Sequence, residues 1–215
     1  MTYLQLINDV LVRLRETQVS SSNETTYSTL IGRFVNDAKR QIEDAFSWNV
    51  LGQTVTITTT PGTYIYSLTG SGQKFQVMDA LNTTANVGMQ NISFVQMNRF
   101  QNLVPAISGI PEYYSFDGVD GNGDTKVVLY ARPDNVYVLP FALTVPQAPL
   151  SADNTLVLVS DSLVVQNAYA RALVERGEDG GLNSSEAYQL YRGMLADQIA
   201  LEGTRYPENQ EFVAI

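Results

Sequence analysis

Apolar residues recur at spacings of three and four through the first sixteen positions. Leu4, Ile7, Leu11 and Leu14, with Tyr3 and Val10 beside them, form one stripe and predict an amphipathic helix over residues 3–16. The polar stretch 18–23 breaks it. A second helix is expected over roughly 25–48, with Tyr27, Ile31, Phe34, Ala38, Ile42 and Ala45 on its face and Phe46 alongside. From about Leu51 the period becomes two, as Val55 and Ile57 alternate with Thr. Pro61-Gly62 is a turn signal, and 63–68 follows as a second strand. Further strand-like runs lie at 74–81, 89–96, 111–118, 125–132, 136–145 and 154–160, rich in β-branched and aromatic residues. Segment 97–107 lacks clear alternation and reads as a short helix or a loop. Helical spacing returns at Asp161, with Ser160 or Asp161 as cap and Leu163, Ala170, Leu173 and Val174 as apolar positions up to Arg176. The glycine-rich run 177–181 ends that helix. Asn183 then stands three residues before Glu186, a capping-box spacing that opens a last helix to about Gly203. Its face is Ala187, Tyr191, Met194, Leu195 and Ile199.

The pattern predicts an α+β chain. Helix pairs at the two ends would bury each other as a four-helix bundle. A β-sandwich or barrel-like domain of about eight strands would be inserted between helices two and three. The expected divisions are 1–50 with 160–204 for the bundle, 51–159 for the β domain and 205–215 for a C-terminal tail.

Composition narrows the chemistry. Of 215 residues, 44% are hydrophobic, which excludes disorder over most of the length, and 16% are charged. Thirteen Lys and Arg against 22 Asp and Glu give a net charge of −9, so the chain has no general attraction for nucleic acid or an anionic membrane. With no Cys and no His, thiol nucleophiles, disulfides, Cys/His zinc sites and imidazole catalysis are excluded. No cofactor or metal is expected. No run approaches the ~18 apolar residues of a membrane span. The polar residues within the first helix argue against a signal peptide, so a soluble protein used without export is expected.

Residues 117–125 have the look of a calcium loop, but Thr125 stands where the turn glycine belongs and Ala131 where the bidentate Glu belongs. A hairpin tip is the expected reading. The carboxylates show no acid–base pairing readable from spacing, no phosphate-cradling glycine loop opens a helix, and no serine has a base partner, so no enzyme is expected. Residues 1–49 hold five basic and six acidic residues, and 160–215 hold four and nine. Arg13, Arg15, Arg33, Lys39 and Arg40 are therefore expected to form salt bridges between the two helix pairs. Among the 12 Tyr residues, Tyr64, Tyr66, Tyr113 and Tyr114 are interface candidates, because Tyr carries large area with a polar tip. Trp48 is expected to anchor the junction of helix and β block. Tyr206, Phe212, Val213 and Ile215 follow a helix stop and a proline, and an apolar end of this kind invites docking.

The opening YLQLINDVLVRLRETQVSS, followed by a helix ending AKRQIEDAFSWNVL, resembles the tailed-phage head-to-tail adaptor family, including the tail tubular protein A group. The motif covers residues 3–51, with Ile7–Leu11 and Trp48 at the matching positions; the architecture covers most of the chain. Arg15-Glu16 departs from the Gly-Glu of some members. The resemblance implies a structural virion protein at the head–tail junction, made in the host cytoplasm. It implies a ring of about twelve copies beneath the portal. The C-terminal segment would reach the portal protein, the β parts would receive the nozzle or tube protein of the tail, and genomic DNA would pass without specific binding. A competing reading is a β-sandwich module that binds receptors or glycans in a tail or baseplate.

Overall fold

A computed structural model describes residues 1–103, 107–177 and 181–205 of the chain. The order opens with helices α1 (Tyr3–Arg13) and α2 (Thr26–Ala45), then strands β1 (Gly52–Thr58), β2 (Ile65–Ser67), β3 (Gln76–Asn82), β4 (Val87–Gly88) and β5 (Gln90–Asn91). Helix α3 (Phe94–Asn102) precedes β6 (Ser108–Gly109), β7 (Tyr113–Val119), β8 (Thr125–Tyr130), β9 (Arg132–Pro133) and β10 (Val138–Thr144). Helices α4 (Asp161–Arg176) and α5 (Leu182–Gly203) close it. The chain divides into two compact units: Met1–Val50 with everything from Gln147 onward, and Leu51–Pro146.

In the helical unit, sequence-local caps set where helices begin. Thr2 Oγ1 accepts from the Gln5 amide while Gln5 Oε1 accepts from the Thr2 amide, a reciprocal pair that satisfies two otherwise orphaned donors of α1. Thr25 and Ser28 do the same for α2. Both helices stop sooner than their apolar stripes suggest: Arg15 turns to φ 60° and Phe46 is extended. Gly32 of α2 lies against Tyr3 and Ile7 of α1; a Cβ there would collide with the Tyr3 ring, so glycine permits the close approach.

Helix α4 is the hub. It packs on α1, α2 and α5. Leu163, Val164, Val165, Gln166, Asn167, Ala168, Ala170 and Ala172 are all buried, which leaves little amphipathic contrast around the helix. The packing is thus centred on α4, with α1 and α2 also in mutual contact and α5 lying along α4. Val174, expected on the apolar face, is instead 67% exposed. The last helix begins at Leu182, with Gly181 as its N-cap, rather than at the Asn183–Glu186 pattern. Gly177, at φ 63°, ends α4 in the left-handed conformation that glycine adopts without strain.

The run 154–160, expected as a strand, forms no ladder; it contributes one isolated bridge, Thr2 with Leu156. Residues 147–160 cross the helical unit as a strap held by side chains. Asn36 accepts from the Leu150 amide at 2.7 Å and donates to its carbonyl at 3.0 Å. Lys39 and Glu43, one turn apart on α2, form a buried ion pair with Nζ 3.0 Å from Oε1. Lys39 also donates to the Gln147 carbonyl at 2.6 Å, and Glu43 accepts from the Gln147 amide at 3.2 Å. Burial pushes the Glu43 carboxyl above its usual value, with Lys39 opposing the shift. Asp153 accepts from the Ser22 amide at 3.1 Å, and hydrogen bonds from Ser22 hold its carboxyl below the usual 3.8.

Among the described residues, salt bridges between the helix pairs are fewer than expected, because basic side chains find acids one turn away. Arg13 pairs with Asp9 and Arg40 with Asp44, each within its own helix. The ties across the pairs are Arg176 with Glu16, and the N-terminal amine with Asp161. Arg176 also donates to the Tyr27 hydroxyl at 2.9 Å.

The second unit is a β-sandwich. One sheet has strand order β1-β10-β3-β4 and the other β2-β8-β7-β5; a two-stranded sheet pairs β6 with β9. Ile57, Ala80, Leu139, Phe141 and Leu143 from the first sheet meet Tyr114, Val127 and Leu129 from the second in one core. The Tyr114 and Phe141 rings pack edge to face, 5.3 Å apart and 87° inclined. Entry and exit of the unit lie side by side, since Gly52 pairs with Thr144 and the Val145 amide donates to the Leu51 carbonyl at 3.0 Å. Residues 94–96, expected to end a strand, begin α3 instead, because Ser93 Oγ accepts from the Gln96 amide and caps it.

Two outcomes follow for stability. Lys39→Met should cost about 3–5 kcal/mol in denaturant unfolding because it strands a buried carboxylate, whereas Lys39→Met with Glu43→Leu should cost much less. The lowered Asp153 value contributes stability present above pH 3.8 and lost as pH falls through the folded value. Asp153→Asn should therefore lower the melting temperature at pH 7, and the deficit should shrink on acidification; a pH-independent deficit would contradict this.

Candidate interaction surfaces

The four candidate Tyr residues divide by environment. Tyr114 is 4% exposed and its ring fills the sandwich core, so it cannot present a surface; alternation along β7 turns it inward. Tyr113 is half-buried among Phe100 and Tyr130, with the Phe100–Tyr130 rings 4.8 Å apart. Tyr64 lies beneath the Arg132 guanidinium, whose carbon is 4.4 Å from the ring centre. The Tyr66 hydroxyl accepts from the Thr60 amide at 2.9 Å and bonds the Thr63 carbonyl at 2.9 Å, bracing the turn after β1. These rings therefore have structural duties inside the unit. Trp48 does too: it is buried, its indole N–H donates to the Ile42 carbonyl at 2.6 Å, and its ring stacks edge-on against Phe46. It closes the C-terminus of α2, where a carbonyl would otherwise lack a partner.

The hairpin of β7 and β8 ends in a turn at 120–124. Asp120 accepts from the amides of Asn122 at 2.8 Å and Asp124 at 3.0 Å. Hydrogen bonds, the first of them from Ser67, lower its carboxyl below the usual value. That carboxylate is engaged in shaping the turn. Among the described residues, no group of three or more His, Cys, Asp or Glu is placed to hold a metal ion. No described helix is long and apolar enough to cross a membrane.

Two surfaces of the molecule carry contact character. On the helical unit, Val174 of α4 and Leu182, Tyr188, Leu190 and Leu201 of α5 are exposed. Leu190 and Leu201 are about three helical turns apart and share a face. A groove of about 200 Å³ between the helices is lined by Gln41, Ala170, Arg171, Val174 and Tyr188. Its polar floor is internally satisfied: Arg171 donates to Asn167 at 3.1 Å and to Gln41 at 2.9 Å. Helix α5 meets the rest of the unit through Gln166, which donates to the Ala187 carbonyl at 3.1 Å, and through Glu202, which accepts from the Asn49 amide at 3.0 Å.

On the sandwich, a groove of about 530 Å³ runs between the edges of β1 and β2, lined by Thr54, Thr56, Thr58, Tyr66, Ser67 and Thr69. The edge was missed in the sequence reading. Its signal is an uncharged run from Ala45 to Gln73. The tail candidates Tyr206, Phe212, Val213 and Ile215 lie outside the described residues.

No curated protein matches the chain. The model of the SU10 adaptor protein family matches residues 1–211. Matched over nearly its whole length, the chain belongs to the SU10 adaptor protein family, and so to the structural adaptors of bacteriophages.

Proposed function

We propose that the chain is a non-enzymatic ring adaptor that joins the portal of the phage head to the tail. The observation that carries this reading is the match of the SU10 adaptor protein family model to residues 1–211. Exposed apolar residues on α5, with Leu190 and Leu201 on one face, offer contact area for a neighbouring protein. In a ring of about twelve copies, each subunit needs two different side faces that close on each other. Membership of the SU10 adaptor protein family supports the adaptor role.

The charge supports a conduit role. Phosphate contacts dominate nucleic-acid affinity, so a basic channel would hold its cargo. With 22 acidic residues against 13 basic, the chain lets DNA slide past rather than bind. The segment 205–215 is the portal-docking tail in this proposal, with Tyr206, Phe212, Val213 and Ile215 as its apolar anchors. Trp48 fixes the exit of the chain from α2, just before the β unit that receives the nozzle or tube protein. The site of action is the head–tail junction of the virion.

Removal of residues 206–215 should abolish binding to the portal protein of the same phage while leaving the helical circular-dichroism signal and the melting temperature nearly unchanged. Native mass spectrometry of mixtures reads the first and thermal unfolding the second. Undiminished portal binding by the truncated chain would remove the tail from this role. Glycan binding without portal binding by the full chain would favour a receptor-binding tail component.

A further inference from the structure

The groove on the helical unit holds a cation without an acid. It encloses about 200 Å³ between Gln41 of α2, Ala170, Arg171 and Val174 of α4, and Ser184 and Tyr188 of α5. Arg171 donates to Asn167 and to Gln41, which occupies two of its five N–H donors. Among the described residues no carboxylate pairs with it, and Glu175, one turn further along α4, forms no ion pair either. A guanidinium beside an aromatic ring and an exposed valine fits a carboxylate that stands next to an apolar side chain.

A stripe leads to this groove from the end of α5. Tyr188, Leu195 and Ile199 share one side of that helix and are all at least partly exposed. Arg192 lies beside the stripe, exposed and without an ion pair among the described residues. The sequence that follows α5 has the complementary chemistry. Residues 206–215 read Tyr-Pro-Glu-Asn-Gln-Glu-Phe-Val-Ala-Ile, so the side-chain charges are Glu208 and Glu211, and Glu211 is followed at once by Phe212 and Val213. Pro207 cannot continue a helix, and the residue before a proline favours extended backbone.

Reach and charge together select this segment as the occupant. Measured back along α5 from Gly203, Arg192 is about 16 Å away and the turn from Tyr188 to Ser184 about 22–28 Å. An extended chain leaving Gly203 covers about 16 Å by Glu208 and about 26 Å by Glu211. Glu208 therefore comes level with Arg192, and Glu211 level with the groove. We propose that the α4/α5 groove seats the chain's own segment 206–215, folded back along α5, with Glu211 on the Arg171 guanidinium and Phe212 and Val213 against Tyr188 and Val174. The segment then has two alternative seats, this groove and the portal; the second seat rests on the function proposed above. In the free chain the docking segment is covered, and the portal has to displace it from the groove.

The chain has no Cys, so introduced pairs can be read without background. In the full chain, Val213→Cys with Val174→Cys should form an intramolecular disulfide about tenfold faster than Val213→Cys with Leu190→Cys, whose thiol stands at a similar height on the other side of α5. Equal rates, no disulfide, or a disulfide that joins two chains would overturn the proposal. Glu211→Lys should slow the pairing with position 174 several-fold, because it sets like charges together, and Arg171→Glu in the same chain should restore it. An unchanged rate with Glu211→Lys, or no restoration in a folded double variant, would also overturn the proposal. Glu211 lies beyond the described fold, so its single variant decides even if Arg171→Glu fails to fold. Locked by the 174–213 disulfide, the chain should lose portal binding in native mass spectrometry and regain it on reduction. Portal binding by the locked chain would remove the segment from portal docking and leave the groove as its seat.

Discussion

The helical unit depends on a buried ion pair. Lys39 and Glu43 are both withdrawn from water, an arrangement that is expensive unless every remaining donor and acceptor is used. Here the backbone of Gln147 completes it, with its carbonyl taking the ammonium and its amide meeting the carboxylate. The pair therefore tethers the chain at the first residue after the β unit. Asn36, one turn earlier on α2, binds Leu150 in the same manner, and Gln147 in turn donates to the Leu156 carbonyl at 2.7 Å. A strap without regular secondary structure is ordered because α2 offers it a row of polar groups in place of a sheet edge.

That strap brings the chain back to the helices. Tyr3 and Leu4 donate their amides to the carbonyls of Thr155 and Asp153, which occupies orphaned donors at the start of α1. Val157 and Val159 are buried behind it, and α4 starts next to them in sequence. Helix α4 then gathers α1, α2 and α5, burying Gln166 and Asn167 along with its apolar residues. Arg13 and Gln166 extend the polar links, since Arg13 donates to Gln166 at 2.9 Å and Gln166 to the Ala187 carbonyl.

The sandwich supplies neutral surface in an acidic protein. Its charged residues are few, and none occurs in the runs from Ala45 to Gln73 and from Ala80 to Asn98. Electrostatics governs selectivity and approach more than raw affinity.

By itself the sequence determined what local patterning can determine. Helical period and a polar break placed α1 and α2; alternation and turn residues placed the hairpin of β7 and β8; and the lack of Cys and His removed whole classes of chemistry. Tertiary structure alone decided the rest. Residues 154–160 alternate like a strand, yet they form no ladder, because their partners are the backbone of Met1 and Tyr3, at the far end of the chain, and the side chain of Gln147. Lys39 and Glu43 were not legible as α2 core residues, since a charged pair looks like a solvated face until a partner backbone covers it. Tyr114 and Tyr66 look alike in sequence and both pack on the sandwich core, but the first lies in the middle of its sheet and is fully buried, while the second lies on edge strand β2, where its hydroxyl reaches Thr60 and Thr63. The open β1 edge was visible only as absent charge. Periodicity reveals which face of an element is apolar; what covers that face depends on distant segments that only the fold brings together.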